Sequence, residues 1–368
     1  KPAQARRQRP ETNVTMTISQ RSGPALSYGD IARGEPAFEQ TFEKRSAWGN
    51  LIRRPEFGAF FATLLVYAFF AATAYQQGFV TLDGTSGWMN TSAELGIVAI
   101  PVGVLMIAGE FDLSVGSVVG ASSITLAIGT TVFGLPMWPM IAASLVLGLV
   151  VGLANGLLVL RTGLPSFIVS LATSFSVSGL SLGFARLLSN TTSVSIQSAP
   201  LSDAVFASTW GQANIAILWW IAVTLLAGWV LSRTVFGNWV FATGGNPVAA
   251  RGAGVPTNLV KIVLFMMTGL GSALVGVIQG IEYHTGNAMA GIGYVFEAPI
   301  VAVIGGVLLG GGYGSAVGVF LGTAIFGIIT IGIFYTGWST DWVQLFLGVL
   351  MMFAVLANHY FRRLAMSR

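Results

Sequence analysis

Long apolar runs, broken by short polar turns, set the frame of this chain. A helix needs about 20 mostly apolar residues to cross a bilayer. Windows of that kind fall near 57–77, 90–108, 114–132, 138–160, 165–187, 213–231, 258–280, 295–311, 314–334 and 340–358. The pattern predicts an all-α membrane protein, polytopic, with about ten transmembrane helices per subunit. The second and third windows are parted only by Gly109 to Leu113, and the eighth and ninth only by Gly310 to Tyr313. A re-entrant segment in either pair is the alternative to a full crossing. The transmembrane domain is expected over residues 55–360.

Charge position orients these spans. Ten of the 18 Lys/Arg lie in residues 1–54, and Arg362, Arg363 and Arg368 close the chain. With ten spans and the N-terminus inside, Arg161, Arg233, Arg251 and Lys261 also fall on the inner side, as the positive-inside rule asks. Only Arg186 lies near the outer face. Both termini are therefore expected in the cytoplasm, with tails over 1–54 and 361–368. In the first tail, Phe38, Phe42 and Trp48 beside Lys44 and Arg45 make either a short interfacial helix or part of a disordered segment.

Composition then narrows the chemistry. The chain has 368 residues, 54% hydrophobic and 9% charged. Soluble domains average roughly 25% charged, so a soluble enzyme, a disordered chain and a nucleic-acid binder are all excluded. There is no Cys, which removes disulfides and thiol chemistry, and the 2 His residues are too few for most His-based metal sites. No metal site is expected. The three lysines, Lys1, Lys44 and Lys261, all lie outside a phosphate-binding loop, so the chain is not expected to hydrolyse ATP itself. Glu94, Glu110, Asp112 and Glu297 sit near span ends, which argues against an ion-coupled carrier with a mid-membrane carboxylate.

Small residues recur at helix-packing spacing. Ser144, Gly148, Gly152 and Gly156 share one face of the fourth span; Ser272, Gly276 and Gly280 do so in the seventh, and Gly314, Gly318 and Gly322 in the ninth. Close backbone approach is what these stripes supply. Ser166, Ser170, Ser174 and Ser178 form a polar line on the fifth span. They either bond back to their own helix carbonyls or line a path for a hydroxylated solute. Asn155 and Glu297 are further candidates for that path.

The inner loop over 233–258 is the most informative segment. Asn246 is placed to cap a helix with Pro247 at its first position. Gly252 or Gly254 is placed to end it. A small, Ala-faced, basic helix of about two turns results, either docked in a partner's socket or lying partnerless on the membrane surface.

Gly244-Gly245-Asn246-Pro247-Val248-Ala249-Ala250-Arg251 resembles the coupling-helix segment of bacterial sugar ABC importer permeases, the ribose-type branch. Gly109-Glu110-Phe111-Asp112-Leu113-Ser114-Val115-Gly116-Ser117 is similar to that family's Gly-Gly-Ile-Asp-Leu-Ser-Val-Gly-Ser segment. Gly163-Leu164-Pro165-Ser166-Phe167-Ile168-Val169 is similar to its start of the fifth span, and Ile304-Gly305-Gly306 with Gly311-Gly312-Tyr313-Gly314-Ser315 to its second Gly-rich segment. The chain departs from the pattern at Glu110 and Phe111, and at Val295-Phe296-Glu297-Ala298, where the family often has Glu-Leu-Asp-Ala.

The resemblance implies a permease subunit in the bacterial inner membrane. It would import a monosaccharide or similar polyol by alternating access, working as a pair, a homodimer by expectation, without enzyme activity or a cofactor of its own. ATP and Mg would be held by a separate cytoplasmic ATPase, and an extracytoplasmic sugar-binding protein would deliver the solute. Gly244, Gly245, Asn246, Pro247, Ala249, Ala250, Arg251 and Gly254 would dock the ATPase. Glu110, Phe111, Asp112 and Ser114 would shape the turn before the third span, with Ser114 capping it. The outer segments 188–212 and 281–294, with Asp203, Glu282, His284 and Asn287, are candidates for docking the binding protein. The competing expectation is an ion-coupled secondary transporter of a small polar solute, with Glu110 or Glu297 as the coupling carboxylate.

Overall fold

A computed structural model describes residues 55–197 and 199–366; side chains are described from 56 to 356. The N-terminal tail, with its interfacial-helix expectation, lies outside the described residues.

Thirteen helices follow in order among the described residues. They are α1 (Pro55–Thr73), α2 (Leu82–Ile107), α3 (Val115–Ala127, continued by a wide turn over Ile128–Val132), α4 (Met137–Thr162) and α5 (Ser166–Ser189). Next come the short α6 (Pro200–Phe206), then α7 (Ala216–Arg233), α8 (Val235–Gly245), α9 (Pro247–Gly252) and α10 (Thr257–Glu282). The last are α11 (Tyr294–Ile304), α12 (Ala316–Thr336) and α13 (Trp342–Met366). Eight of them, α1 to α5, α7, α10 and α12, are long and apolar enough to cross a membrane.

The window at 295–311 does not become a span. Its helix α11 has 11 residues, about 16 Å at the α-helical rise, or half the hydrocarbon thickness. Pro299 lies inside α11 and the glycines from Gly305 onward end it. The second span begins earlier than the hydropathy window, at Leu82, because Thr81 caps it by accepting a bond from the Gly84 amide. The final helix runs on to Met366, so residue 360 is no element boundary.

The packing follows the small-residue stripes. A Cβ at Gly148 would come within 2.3 Å of the Gly269 carbonyl, and one at Gly152 within 2.1 Å of the Phe265 carbonyl, so α4 lies backbone to backbone along α10. Gly276 meets Val119 and Ser122 on α3, while Gly318 and Gly322 meet Gly305 and Val301 around α11. Every other side chain at these positions would force the helices apart, which is how helices associate in lipid without a hydrophobic drive. The centre is built from α2, α3, α10 and α12, whose Leu95, Ile97, Ile100, Leu126, Ile278 and Ile325 are fully buried. Around it, α1, α5 and α7 present Phe60, Phe61, Leu65, Phe175, Leu225 and Trp229 outward. An apolar surface of that extent suits contact with lipid or another membrane helix rather than water.

Candidate functional site

The turn between α2 and α3 is held from all sides. Gly109 takes a positive φ of 85°, which lets the chain leave α2 and double back. Asp112 is fully buried. Its Oδ1 accepts from the Ser114 amide at 2.9 Å, the Ser114 hydroxyl at 2.6 Å and the Asn155 amide at 3.3 Å. The Thr268 hydroxyl donates to its Oδ2. A buried carboxylate persists only when its oxygens are so satisfied. Ser114 does occupy the position before α3, but its hydroxyl turns back to Asp112 and makes no capping bond to the helix. The expected roles are thus exchanged, with the Asp112 carboxylate holding the free Ser114 amide.

Two members of the serine line belong to this knot. Ser166 Oγ accepts from the Phe111 amide at 2.9 Å, and Ser170 Oγ accepts from the Leu113 amide at 3.0 Å. Ser170 also bonds back to the Ser166 carbonyl at 2.8 Å. Ser174 and Ser178, further along α5, are half-buried and stand apart from the turn. Asn155 donates to Ser114 Oγ at 2.9 Å as well, which fastens α4 to the same place. Glu110, the residue that departs from the family pattern, is ion-paired to Lys261 on α10.

The loop over 233–258 forms a two-helix hook. Thr234 caps α8, and α9 follows directly. Asn246 Oδ1 accepts from the Val248 and Ala249 amides, both at 3.1 Å, with Pro247 at the first helical position. Gly254, at a φ of 84°, turns the chain into α10. Ala250 packs inward, whereas Asn246, Pro247, Val248, Ala249 and Arg251 are exposed, Val248 by 78%. Arg251 is braced: its Nε donates to Thr257 Oγ1 at 2.7 Å and its Nη2 to Asn258 Oδ1 at 3.0 Å. The result is a small, rigid, basic knob.

Three glycine segments meet where the hook joins the bundle. The Gly312 amide donates to the Ile107 carbonyl at 2.7 Å. A Cβ on Gly244 would stand 1.8 Å from that carbonyl, and one on Gly311 or Gly312 would stand 2.9 Å from Gly109 or Gly245 respectively. The segments around 109, 244 and 311 are far apart in sequence and share one point in space. The hook therefore lies directly against the turn that carries Asp112.

At the other end of α10 the two polar segments 188–212 and 281–294 come together. Ser193–Ser195 pairs antiparallel with Thr285–Asn287, placing Ser193 opposite Asn287. His284 and Asn287 are exposed there, Asp203 is half-buried on α6, and Glu282 accepts from the Asn214 amide. Glu297 is half-buried in the first turn of α11. Glu94, not among the expected site residues, gathers a cluster. Gln279 Nε2 donates to its Oε2 at 2.6 Å, Tyr294 to Oε2 at 3.1 Å and Tyr283 to Oε1 at 2.5 Å. Desolvation, and then the Glu94 charge, raise the Tyr283 pKa well above its ordinary value, so the phenol stays a donor. Glu94 therefore does not sit near a span end as its hydropathy window suggested: α2 starts at Leu82, which puts the acid midway along the helix, level with Gln279 near the end of α10.

Residues 84–355 match the family described as branched-chain amino acid transport system / permease component. The chain belongs to this permease family. Its members are transport subunits of ABC systems, not enzymes. The chain is 34% identical over 283 residues to the inner membrane ABC transporter permease protein YjfF of Escherichia coli, covering 74% of this chain and 83% of that protein. It is 32% identical over 303 residues to the L-arabinose transport system permease protein AraH of the same organism, covering 82% of this chain and 90% of that protein. It is 26% identical over 288 residues to the ribose import permease protein RbsC, covering 76% and 87%. No solved structure matches the chain.

Proposed function

We propose that this chain is the membrane subunit of an ATP-driven importer that moves a monosaccharide or similar polyol across the bacterial inner membrane. Two copies would enclose the path, and each α9 would seat in a cytoplasmic ATPase carrying ATP and Mg. An extracytoplasmic sugar-binding protein would dock on the outer surface formed where 193–195 pairs with 285–287. The names of the relatives support sugar as the solute class, since AraH and RbsC are permeases for L-arabinose and ribose.

The observation that carries the reading is the hook. An exposed helix with a braced Arg251 and a bare Val248 face has the shape of a plug for a protein socket. Its foot lies against the Asp112 turn through the glycine junction, so a push on α9 reaches the bundle without a soft link. Rigid docking of this kind is how a small displacement is passed between two-state elements.

The test is an Arg251→Glu variant expressed in native membranes. It is expected to fold, to lose the co-purifying ATPase and to lose uptake. Wild-type uptake by this variant would remove α9 as the coupling element. Glu110, one of the two carboxylates an ion-coupled mechanism would use, is paired with Lys261, which gives that acid a structural partner without a coupling ion.

A further inference from the structure

A cavity of about 280 Å³ opens beside the Glu94 cluster, lined by Ser123, Gln279, Tyr283, Thr285, Asn287 and Ala290. A larger hollow of about 450 Å³ lies at Ala71–Gln77, but one stretch of chain supplies its whole lining. The first cavity is different, because α3, α10 and the strand after it converge on it. It stands about 16 Å further along α10 than Thr268, away from the glycine junction.

The chemistry of the lining is specific. Both N–H groups of Gln279 are engaged, by Glu94 at 2.6 Å and by Tyr294 at 3.0 Å. Its amide is therefore fixed in one orientation, which leaves the carbonyl oxygen as an acceptor. The Tyr283 hydroxyl is tied to Glu94 while the residue as a whole is 57% exposed, so its ring offers a face. Ser123 already accepts from the Asn287 amide at 3.2 Å, which holds the strand to α3. Among the six lining residues none is charged.

We propose that this cavity is a solute station inside the permease, and that it takes a neutral polyhydroxylated ring. Hydroxyls of such a ring would donate to the oriented Gln279 carbonyl and exchange bonds with Thr285 and Asn287. Its C–H face would lie on the Tyr283 ring, where an aromatic provides apolar area next to a polar tip. A branched-chain amino acid fits poorly, because its carboxylate would find no cation in the lining and its side chain little apolar wall. Glu94 acts as the positioning residue: it sets Gln279 and Tyr283 and does not touch the solute. The station deepens the sugar-importer reading and rests on it for the direction of movement alone.

The test is saturation-transfer NMR on the full chain in lipid nanodiscs, with D-ribose, L-arabinose, D-xylose, D-fructose, myo-inositol and L-leucine as probes. At least one sugar or the polyol is expected to give a signal, and leucine none. Gln279→Leu is expected to weaken the apparent affinity by about tenfold or more, as loss of a desolvated hydrogen bond does. Tyr283→Phe removes one hydroxyl from an exposed side chain and is safe for folding; releasing the ring from Glu94 is expected to weaken binding about threefold. Arg251→Glu is expected to bind as wild type does. No signal from any sugar or polyol, or full signal from both Gln279→Leu and Tyr283→Phe, would overturn the station. So would leucine binding that Gln279→Leu abolishes. Sugar binding that depends on Gln279, in a chain that recruits no ATPase, would keep the station and discard the importer reading.

Discussion

Lys261 on α10 reaches the Glu110 carboxylate on the turn after α2, the one ion pair among the described residues. The pair explains a departure in the sequence. An acid placed where the family pattern has glycine would sit desolvated among helices, and Lys261 neutralises it. Both side chains are mostly buried, 15% and 11% exposed. Removing one partner of such a pair leaves an uncompensated charge, at a cost of roughly 3 kcal/mol. Lys261→Met is expected to lower the thermal midpoint in detergent clearly, while the double variant Glu110→Gln with Lys261→Met recovers most of it. A double variant as unstable as the single one would show that Lys261 matters for another reason.

Asp112 makes a different kind of bond set, with neutral donors only. Asp112→Ala leaves the buried Ser114 amide and hydroxyl without their acceptor, while Asn155 keeps Ser114 Oγ and Thr268 keeps the Phe265 carbonyl. Each unsatisfied group costs about 1–3 kcal/mol, so this variant is expected to be lost from the membrane fraction. Asp112→Asn keeps an acceptor oxygen and is expected to accumulate at a reduced level. Quantitative immunoblotting of membranes compares the two; equal, wild-type levels would mean that the knot does not hold the fold.

Much of this was legible in the sequence, for reasons that can be named. Hydropathy found the long helices because lipid demands long apolar runs. The Asn246–Pro247 pair announced α9 because a cap followed by a fixed φ is local chemistry. The stripe through Gly148, Gly152 and Gly156 announced a tight contact, but α10 as its partner appeared only in three dimensions. What hydropathy could not separate was length from apolarity: 295–311 is apolar apart from Glu297, yet its helix ends at Ile304, a little past halfway. The Glu94 cluster was hidden because its four members are spread from 94 to 294, and a pairing over that separation leaves no periodic trace.

The four serines on α5 read as one stripe and do two jobs. Ser166 and Ser170 accept backbone amides of the Asp112 turn, so each alanine replacement leaves a partly buried N–H without its partner. Ser170→Ala is expected to destabilise the chain by about 1–2 kcal/mol. Ser178→Ala, on the half-buried upper part of the helix, is expected to leave the thermal midpoint within error of wild type. Equal midpoints for the two variants would return Ser170 to the class of simple packing residues.

Gly244 and Gly245 are neighbours in sequence and opposites in space. A methyl group on Gly244 would stand 1.8 Å from the Ile107 carbonyl and 2.6 Å from the Gly312 amide, both backbone, while nothing lies within 4 Å of one on Gly245. The same chemical change therefore tests position alone. Gly244→Ala must pry the hook from the turn below it and break the bond between Gly312 and Ile107. It is expected to insert in the membrane and still bind the ATPase through α9, with solute uptake reduced by tenfold or more. Gly245→Ala is expected to leave the bond between Gly312 and Ile107 intact and so to transport far better than Gly244→Ala, since its added methyl group meets nothing in this chain. Uptake into right-side-out vesicles loaded with ATP, measured beside ATPase co-purification, reads both quantities at once. Should Gly244→Ala transport normally, the glycine junction would be a packing contact and the stroke from α9 would have to enter the bundle elsewhere, through Arg251 and its bonds to the start of α10.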